Sequence, residues 1–207
     1  MVKNLLLKLK IKPNHIIETI VSTYNLDKTP NAAPMGIIFQ NDNRLIIRPF
    51  IQTQTYKNLK HWKCCTINLT SNPEIFFQTT FKNSKLPKKW FKKAKNVNAP
   101  KLVFADAFIE AEVKKVKVEK ERAKIFCKTV NFDVKTYPSY GYCRANFAVI
   151  ESIIHATRVK QFLVEGKKQE AEKLLNLISH YHALVKRVAP KSNYLRTMNN
   201  LIKILKR

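Results

Sequence analysis

Negative charge is what this chain has least of: 14 Asp and Glu residues stand against 39 Lys and Arg, for a formal net charge of +25 over 207 residues. Such an excess has two readings. Either the surface meets nucleic acid, an anionic membrane surface or an acidic partner, or the lysines only decorate solvated faces, because net charge governs solubility and nonspecific association and not fold. Cysteine is also sparse, at Cys64, Cys65, Cys127 and Cys143, with no C-x-x-C pair and no histidines at zinc-finger spacing. A structural zinc site is thereby excluded, and four reduced, mostly buried thiols of a cytosolic protein are expected. His180 and His182 are two apart on an expected helix and face different ways, so no metal is expected there. Long apolar runs are missing too. Lysines interrupt MVKNLLLKLKIK too often for a signal-peptide core or a membrane span, so a cytoplasmic protein is expected. No internal repeat, low-complexity tract, catalytic triad or paired acid–base carboxylates can be read from the sequence.

What is present is a chain with 45% hydrophobic residues, long enough to bury a real core as one domain or one domain with an appendage. The first half alternates short β-branched or aromatic runs with turn signals. Strands are expected over 16–24, 31–40 and 44–50, joined by Asn25 to Pro30 and by Asn41-Asp42-Asn43, as an antiparallel meander. A short helix over 54–61, a strand over 64–70 and a helix over 72–81 follow. The last opens on Asn72-Pro73-Glu74, which supplies a cap, a first-turn proline and an acid at the positive end of the dipole. Residues 107–137 return to period two, with Phe108, Val113, Val116 and Val118 on one arm and Ile125, Cys127, Val130, Phe132 and Val134 on the other. The spacing slips at Lys114-Lys115 and near Lys128-Thr129, which predicts the β-bulges that curve a sheet into a barrel. Beyond Gly141 helical periodicity takes over, across 146–164, 167–188 and 191–206. The resulting expectation is an α+β chain, with a barrel domain over 1–140 and a helical C-terminal domain over 141–207.

Two segments carry candidate chemistry. In Asn31-Ala32-Ala33-Pro34-Met35-Gly36, small residues let a planar ring approach the main chain, and Asn31 offers a side-chain amide. About twenty residues on, Thr53-Gln54-Thr55-Tyr56-Lys57-Asn58 is a hydroxyl-rich turn running into a helix start. Thr53, Gln54, Thr55 and Asn58, with Lys57 and free backbone N–H groups, are candidates for a phosphate seat, although threonine at such a place also serves as a plain helix cap. A ring seat followed by a phosphate seat is what flavin mononucleotide (FMN) requires. Arg48, on the strand between them, is placed to put positive charge near the phosphate or the ring, or to make an ordinary surface ion pair.

These segments resemble the FMN-binding split β-barrel proteins related to flavin reductases, in which an Asn-small-x-Pro strand, an extended strand, a Thr-x-x-Asn helix start and a strand ending in Asn-Leu follow in that order. Here they read Asn31 to Gly36, RLIIRPF over 44–50, Thr55 to Asn58 and CCTINLT over 64–70. A closer resemblance is to the prokaryotic domain-of-unknown-function family 447, through TPNAAPMGI, RPF and Ile150-Glu151-Ser152-Ile153-Ile154-His155-Ala156-Thr157-Arg158; it runs from about His15 to about Arg158. The phosphate turn departs from the commoner pattern by carrying Gln54 where a lysine or arginine is frequent. The resemblance implies an antiparallel, Greek-key-like FMN-binding split barrel with a helical C-terminal segment, and a homodimer with FMN near the subunit interface. It also implies oxidoreductase or flavin reductase chemistry, with electrons passing from a reduced nicotinamide such as NAD(P)H, or another donor, through the flavin. Flavin storage without turnover, and nucleic-acid binding through the lysines, are the alternatives, the latter not favoured. Arg144, Asn146, His155 and Arg158 lie in or near the second motif and are further cofactor candidates. Glu151, His155 and Arg158 share a helix face there, as a polar wall or as an inter-domain network. No residue stands out as a catalytic acid or base.

The segment KLPKKWFKKAK over 85–95 concentrates six lysines around Trp90 and Phe91, and a helix is expected after Pro87 with Lys88, Lys89, Lys92 and Lys93 on one side. It reads either as an anion patch with stacking aromatics or as a solvated face. Changing these four lysines to glutamine is expected to leave flavin content within about twofold, because exposed charges are screened beyond a Debye length of about 8 Å at physiological salt. Retention of a defined RNA or DNA at physiological salt by the parent alone, in a filter-binding titration, would instead make the segment a functional surface.

Overall fold

Alternation of apolar and polar residues builds six strands, and their register closes them into one barrel. The computed structural model describes residues 3–9, 11, 13, 16–82, 86–135, 144–190 and 192–206. They fall into two compact units, the first comprising Met1–Thr70 with Lys82–Ser139 and the second Ser71–Phe81 with Tyr140–Arg207. In the first unit β1 (Ile16–Tyr24), β2 (Pro30–Asn41) and β3 (Arg44–Ile47) form the expected meander. Helix α2 (Gln54–Trp62) then carries the chain across, so that β4 (Cys64–Leu69) pairs with β1. The spatial order 4-1-2-3 is that of a Greek key. The barrel closes through the long hairpin β7 (Ala107–Glu119) and β8 (Arg122–Val134), in the order β1-β2-β3-β8-β7-β4.

Both expected bulges are present. On β7, Val113 pairs with Cys127 and Lys115 with Phe126, so Lys114 is the extra residue; on β8, Thr129 and Asn131 pair with consecutive residues of β7, so Val130 is the extra one. Each bulge restores the inward phase of its strand after a slip in the pattern. The core they serve contains Val21, Ile37, Phe39, Leu45, Ile47, Cys65, Ile67, Ile109 and Ile125. Val118, in contrast, is 53% exposed near the tip of the hairpin, where period two makes a strand without burying it.

N-terminal leucines join the barrel core. Leu5, at the start of the short helix α1 (Leu5–Lys8), and Leu9 and Ile11 beyond it are all buried in the barrel core. Asp42, in the β2–β3 turn, accepts from the Asn4 and Leu6 backbone N–H groups at 3.1 and 2.9 Å and so holds the start of this helix. Helix α2 packs near the opposite end of β2, with Leu59 in the core and Tyr56 against it.

The lysine-rich segment corrects one expectation. The helix expected after Pro87 is only a single 3-10 turn, Lys88–Trp90, followed by β5 (Phe91–Lys93), which pairs with β6 (Pro100–Leu102). Trp90 packs edge-on against Phe104, and Val103 N–H donates to Trp90 C=O, so long-range contacts override the local helical spacing. The loop that follows, with β6, lies over the outer face of β4 and β7, held by a row of side chains. Thr66 donates to Pro100 C=O at 2.5 Å, Asn68 Oδ1 accepts from Leu102 N–H at 2.8 Å, and Glu110 accepts from the N–H groups of Lys95 and Asn96 at 3.1 and 2.6 Å.

The second unit packs four helices, α3 (Pro73–Thr80), α4 (Arg144–Val164), α5 (Lys168–Val188) and α6 (Asn193–Leu205). Asn72 caps α3 as expected, its side chain accepting from Glu74 N–H at 2.9 Å. Ile75, Phe76, Val149, Ile153, Ile178, Val185, Met198 and Leu201 are buried. Among the described residues no helix is long and apolar enough to cross a membrane, and no group of three metal-ligating side chains is found. Cys64, Cys65 and Cys127 are free and buried; Cys143 lies outside the described residues.

Asn68 supplies the clearest stability test. Its amide also donates to Ile20 C=O and to Ser22 Oγ, at 2.9 and 2.8 Å. Asn68→Ala strands the buried Leu102 N–H and is expected to cost about 1–3 kcal/mol, measured as a lower urea midpoint with an unchanged slope.

Candidate functional site

Along β2 the side chains alternate. Asn31, Ala33 and Met35 share the face of the core residues Ile37 and Phe39, and Ala32, Pro34 and Gly36 share the other. Asn31 and Ala32 are buried, while Ala33, Pro34, Met35 and Gly36 are partly exposed. The β2–β3 ladder covers only Ile37 to Asn41, whereas β1 pairs with β2 from Pro30 to Ile38. Among the described residues, the strand from Asn31 to Gly36 is therefore laddered on one side only. Its other edge and its small side chains form a low surface with main-chain groups within reach of a planar ligand.

At the Asn31 end of this strip α2 brings together side chains far apart in sequence. Asn31 Nδ2 donates to Thr23 Oγ1 and to Thr55 Oγ1, both at 3.4 Å. Asn58 Nδ2 donates to Thr23 Oγ1 and to Asn25 Oδ1, both at 2.9 Å, and its Oδ1 accepts from Gln54 Nε2 at 2.7 Å. Thr23, Asn31, Thr55 and Asn58 are all buried. Thr53 is the helix cap, its hydroxyl accepting from Tyr56 N–H at 3.3 Å and donating to Phe50 C=O at 2.7 Å. The N–H groups of Gln54 and Thr55, in the first turn of the helix, have no intrahelical acceptor.

A lysine completes the cluster. Lys82 Nζ donates to Asn31 Oδ1 at 2.8 Å, across 51 positions of sequence. The residue as a whole is exposed, yet its ammonium end is drawn into the cluster, and desolvation lowers its pKa from the ordinary lysine value to about 8. Sequence reasoning missed Lys82, Thr23 and Asn25. Thr23 was within reach, because the β1–β2 hairpin sets it directly opposite Asn31, and Asn25 lies just past the end of the same strand. For Lys82 no local signal exists. Arg48 is exposed just beyond β3, without an ion-pair partner among the described residues.

The second-motif candidates lie in the helical unit. Arg144 opens α4, and its side chain lies outside the described part of the structure. Asn146 is buried, and its Oδ1 has no partner among the described residues. His155 stacks on Tyr181 with ring centroids 6.0 Å apart, stands 4.0 Å from Glu151, and buries an Nδ1 that has no partner among the described residues. Burial is the main influence lowering the His155 pKa; Glu151 opposes it and Arg158, itself exposed, adds to it.

Comparison with known proteins adds two findings. Residues 17–136 match the family model described as the N-terminal domain of protein of unknown function DUF447, and residues 143–207 match the C-terminal DUF447 model. Among solved structures, an FMN-bound DUF447 protein from Methanosarcina mazei is 26% identical, with 96% of this chain and 98% of that one covered and a TM-score of 0.79. The flavin reductase HpaC, solved with NADP+, is 18% identical over 60% of this chain and 81% of its own, with a TM-score of 0.52. The flavin reductase component of a bacterial two-component tryptophan halogenase is 10% identical over 58% and 81%, with a TM-score of 0.50. The last two show a shared barrel fold.

The lowered pKa of Lys82 makes its own prediction. The ammonium should lose its proton as pH rises through about 8, well before exposed lysines with ordinary values near 10.4 do so. In competitive acylation read by mass spectrometry, Lys82 should reach half its limiting reactivity near pH 8; a profile with no inflection there would contradict the placement.

Proposed function

The chain belongs to the DUF447 family, and on that premise we propose that it is a flavoprotein that binds FMN on its barrel unit and serves as an oxidoreductase of the flavin reductase kind. The observation that carries this reading is the end-to-end likeness to an FMN-bound member of the family. The residues present fit the group. The one-sided ladder from Asn31 to Gly36 offers main-chain groups to a ring, and the donor-rich cluster at the start of α2 offers hydrogen bonds to a phosphate. Bound FMN supplies electron transfer that no side chain of the protein can, which accounts for an enzyme without a triad or paired carboxylates.

The chain's part is to bind and orient. Ala32, Pro34 and Gly36 keep their face of β2 low, while Ala33 and Met35 face the barrel side and act through packing. Asn58, with every amide atom engaged, fixes the helix start and leaves the ligand to Thr55 and the free N–H groups. Arg48 supplies an exposed positive charge on the same unit. The working form is read as a homodimer, and the electron donor as a reduced nicotinamide; both follow the family resemblance and the flavin reductase fold.

The test is direct. Protein purified without added flavin should carry the flavin absorbance bands, or regain them with FMN at about one per chain, and should accelerate NAD(P)H oxidation in the presence of an acceptor. Gly36→Val, a strand-compatible change, should remove most of the flavin while far-UV circular dichroism and melting stay near the parent's. Full flavin content in that variant would move the ring off this face of β2, and colourless parent protein that cannot be loaded with FMN would defeat the reading itself.

A further inference from the structure

The polar cluster at the head of α2 does not close its own hydrogen-bond account. Each of its side-chain carbonyl oxygens already has a donor: Asn31 Oδ1 has Lys82, Asn25 Oδ1 has Asn58, and Asn58 Oδ1 has Gln54. Thr23 Oγ1 already accepts twice and Thr55 Oγ1 once. What remains is donors. The hydroxyl protons of Thr23 and Thr55 have no acceptor among the described residues, and Lys82 uses one of its three N–H groups. No carboxylate balances the ammonium, since Lys82 has no ion-pair partner among the described residues. Asp27, on the β1–β2 connection, is engaged with the backbone and hydroxyl of Thr29. Two buried hydroxyl protons without acceptors among the described residues, and a partly desolvated ammonium with N–H groups to spare, suit a ligand that accepts several bonds and carries negative charge.

We propose that Lys82, acting with the Thr55 hydroxyl, is the counter-charge for the phosphate of FMN, the role that Gln54 cannot fill in the turn itself. The inference rests on the flavin reading above and adds its specificity for the phosphorylated form. Three features support it. Asn31 holds Lys82 from the strand side and Thr55 from the helix side, so the ammonium and the hydroxyl are brought together by one amide. That amide is fixed in orientation, because its oxygen takes the lysine and its nitrogen takes the two threonines. The ammonium is also partly desolvated, which lowers its pKa in the free protein and strengthens its pull on a phosphate that replaces the lost water.

The experiment compares FMN with riboflavin, which lacks only the phosphate, by fluorescence titration of the parent, Lys82→Met, Lys82→Arg, Arg48→Met and Lys57→Met. Lys82→Met is expected to weaken FMN by about tenfold or more while riboflavin stays within about twofold, and Lys82→Arg should recover much of the loss. FMN, and not riboflavin, should protect Lys82 of the parent from acylation. Equal losses for both ligands would make Lys82 a structural residue and overturn the proposal. So would an unchanged FMN-to-riboflavin ratio in Lys82→Met, or a phosphate-specific loss confined to Arg48→Met or Lys57→Met; in each of these cases flavin binding itself would stand. A parent that binds neither flavin would overturn the proposal together with the reading beneath it.

Discussion

The Asn58 side chain, fully buried and bonded at both ends of its amide, is the constraint on which the candidate site depends. Helix α2 would pack on the barrel through Tyr56 and Leu59 alone, but apolar contact is not directional and would leave the helix free to rotate or slide. By reaching Thr23 and Asn25 at the end of β1, Asn58 fixes both the rotation of α2 and its height. Thr55, three residues earlier and on the same side, is then brought to Asn31, and the first turn of the helix is held beside the strand proposed as the ring seat. Removing Asn58 would leave the buried Thr23 and the partly buried Asn25 each short of a partner, so its cost would not be that of one bond.

Much of this arrangement was legible in advance. Strands β1 to β4, the β7–β8 hairpin and its two bulges follow from period two and its slips, because an interior that admits only one face of each strand leaves that trace. The three long C-terminal helices follow from their periodicity, and α3 from its Asn-Pro-Glu opening. Two things were hidden. Residues 88–93 carry helical spacing without a cap or a continuous apolar stripe, and pairing with Pro100–Leu102 wins over so weak a preference. Lys82 looks like one more lysine in a lysine-rich chain. Its partner Asn31 lies 51 positions away, and only the folded barrel puts the two in contact.

The ring-seat segment was legible as a motif but not as a geometry. Its run of small residues reads as a low surface along the main chain, yet only the register of β3 shows why, among the described residues, that edge has no second ladder. β3 begins to pair with β2 at Ile37, and the chain has turned away toward Arg48 and Pro49 before it could cover Gly36. The outer face of β4 shows the reverse case. Its six residues are all buried, three on the core and three beneath the 94–102 segment, so the polar Thr66 and Asn68 of CCTINLT belong to packing and not to chemistry.

The cysteines carry a consequence of their own. Cys65 and Cys127 line the barrel interior, and burial pushes the Cys127 thiol up to about 12 and that of Cys65 well above its ordinary value. In the closed barrel neither forms appreciable thiolate at neutral pH, and neither is open to solvent. Both are therefore silent toward alkylating agents and peroxides unless the strands around them part. Oxidation of these two thiols therefore waits on opening of the barrel, and their rate of modification becomes a clock for how often it breathes.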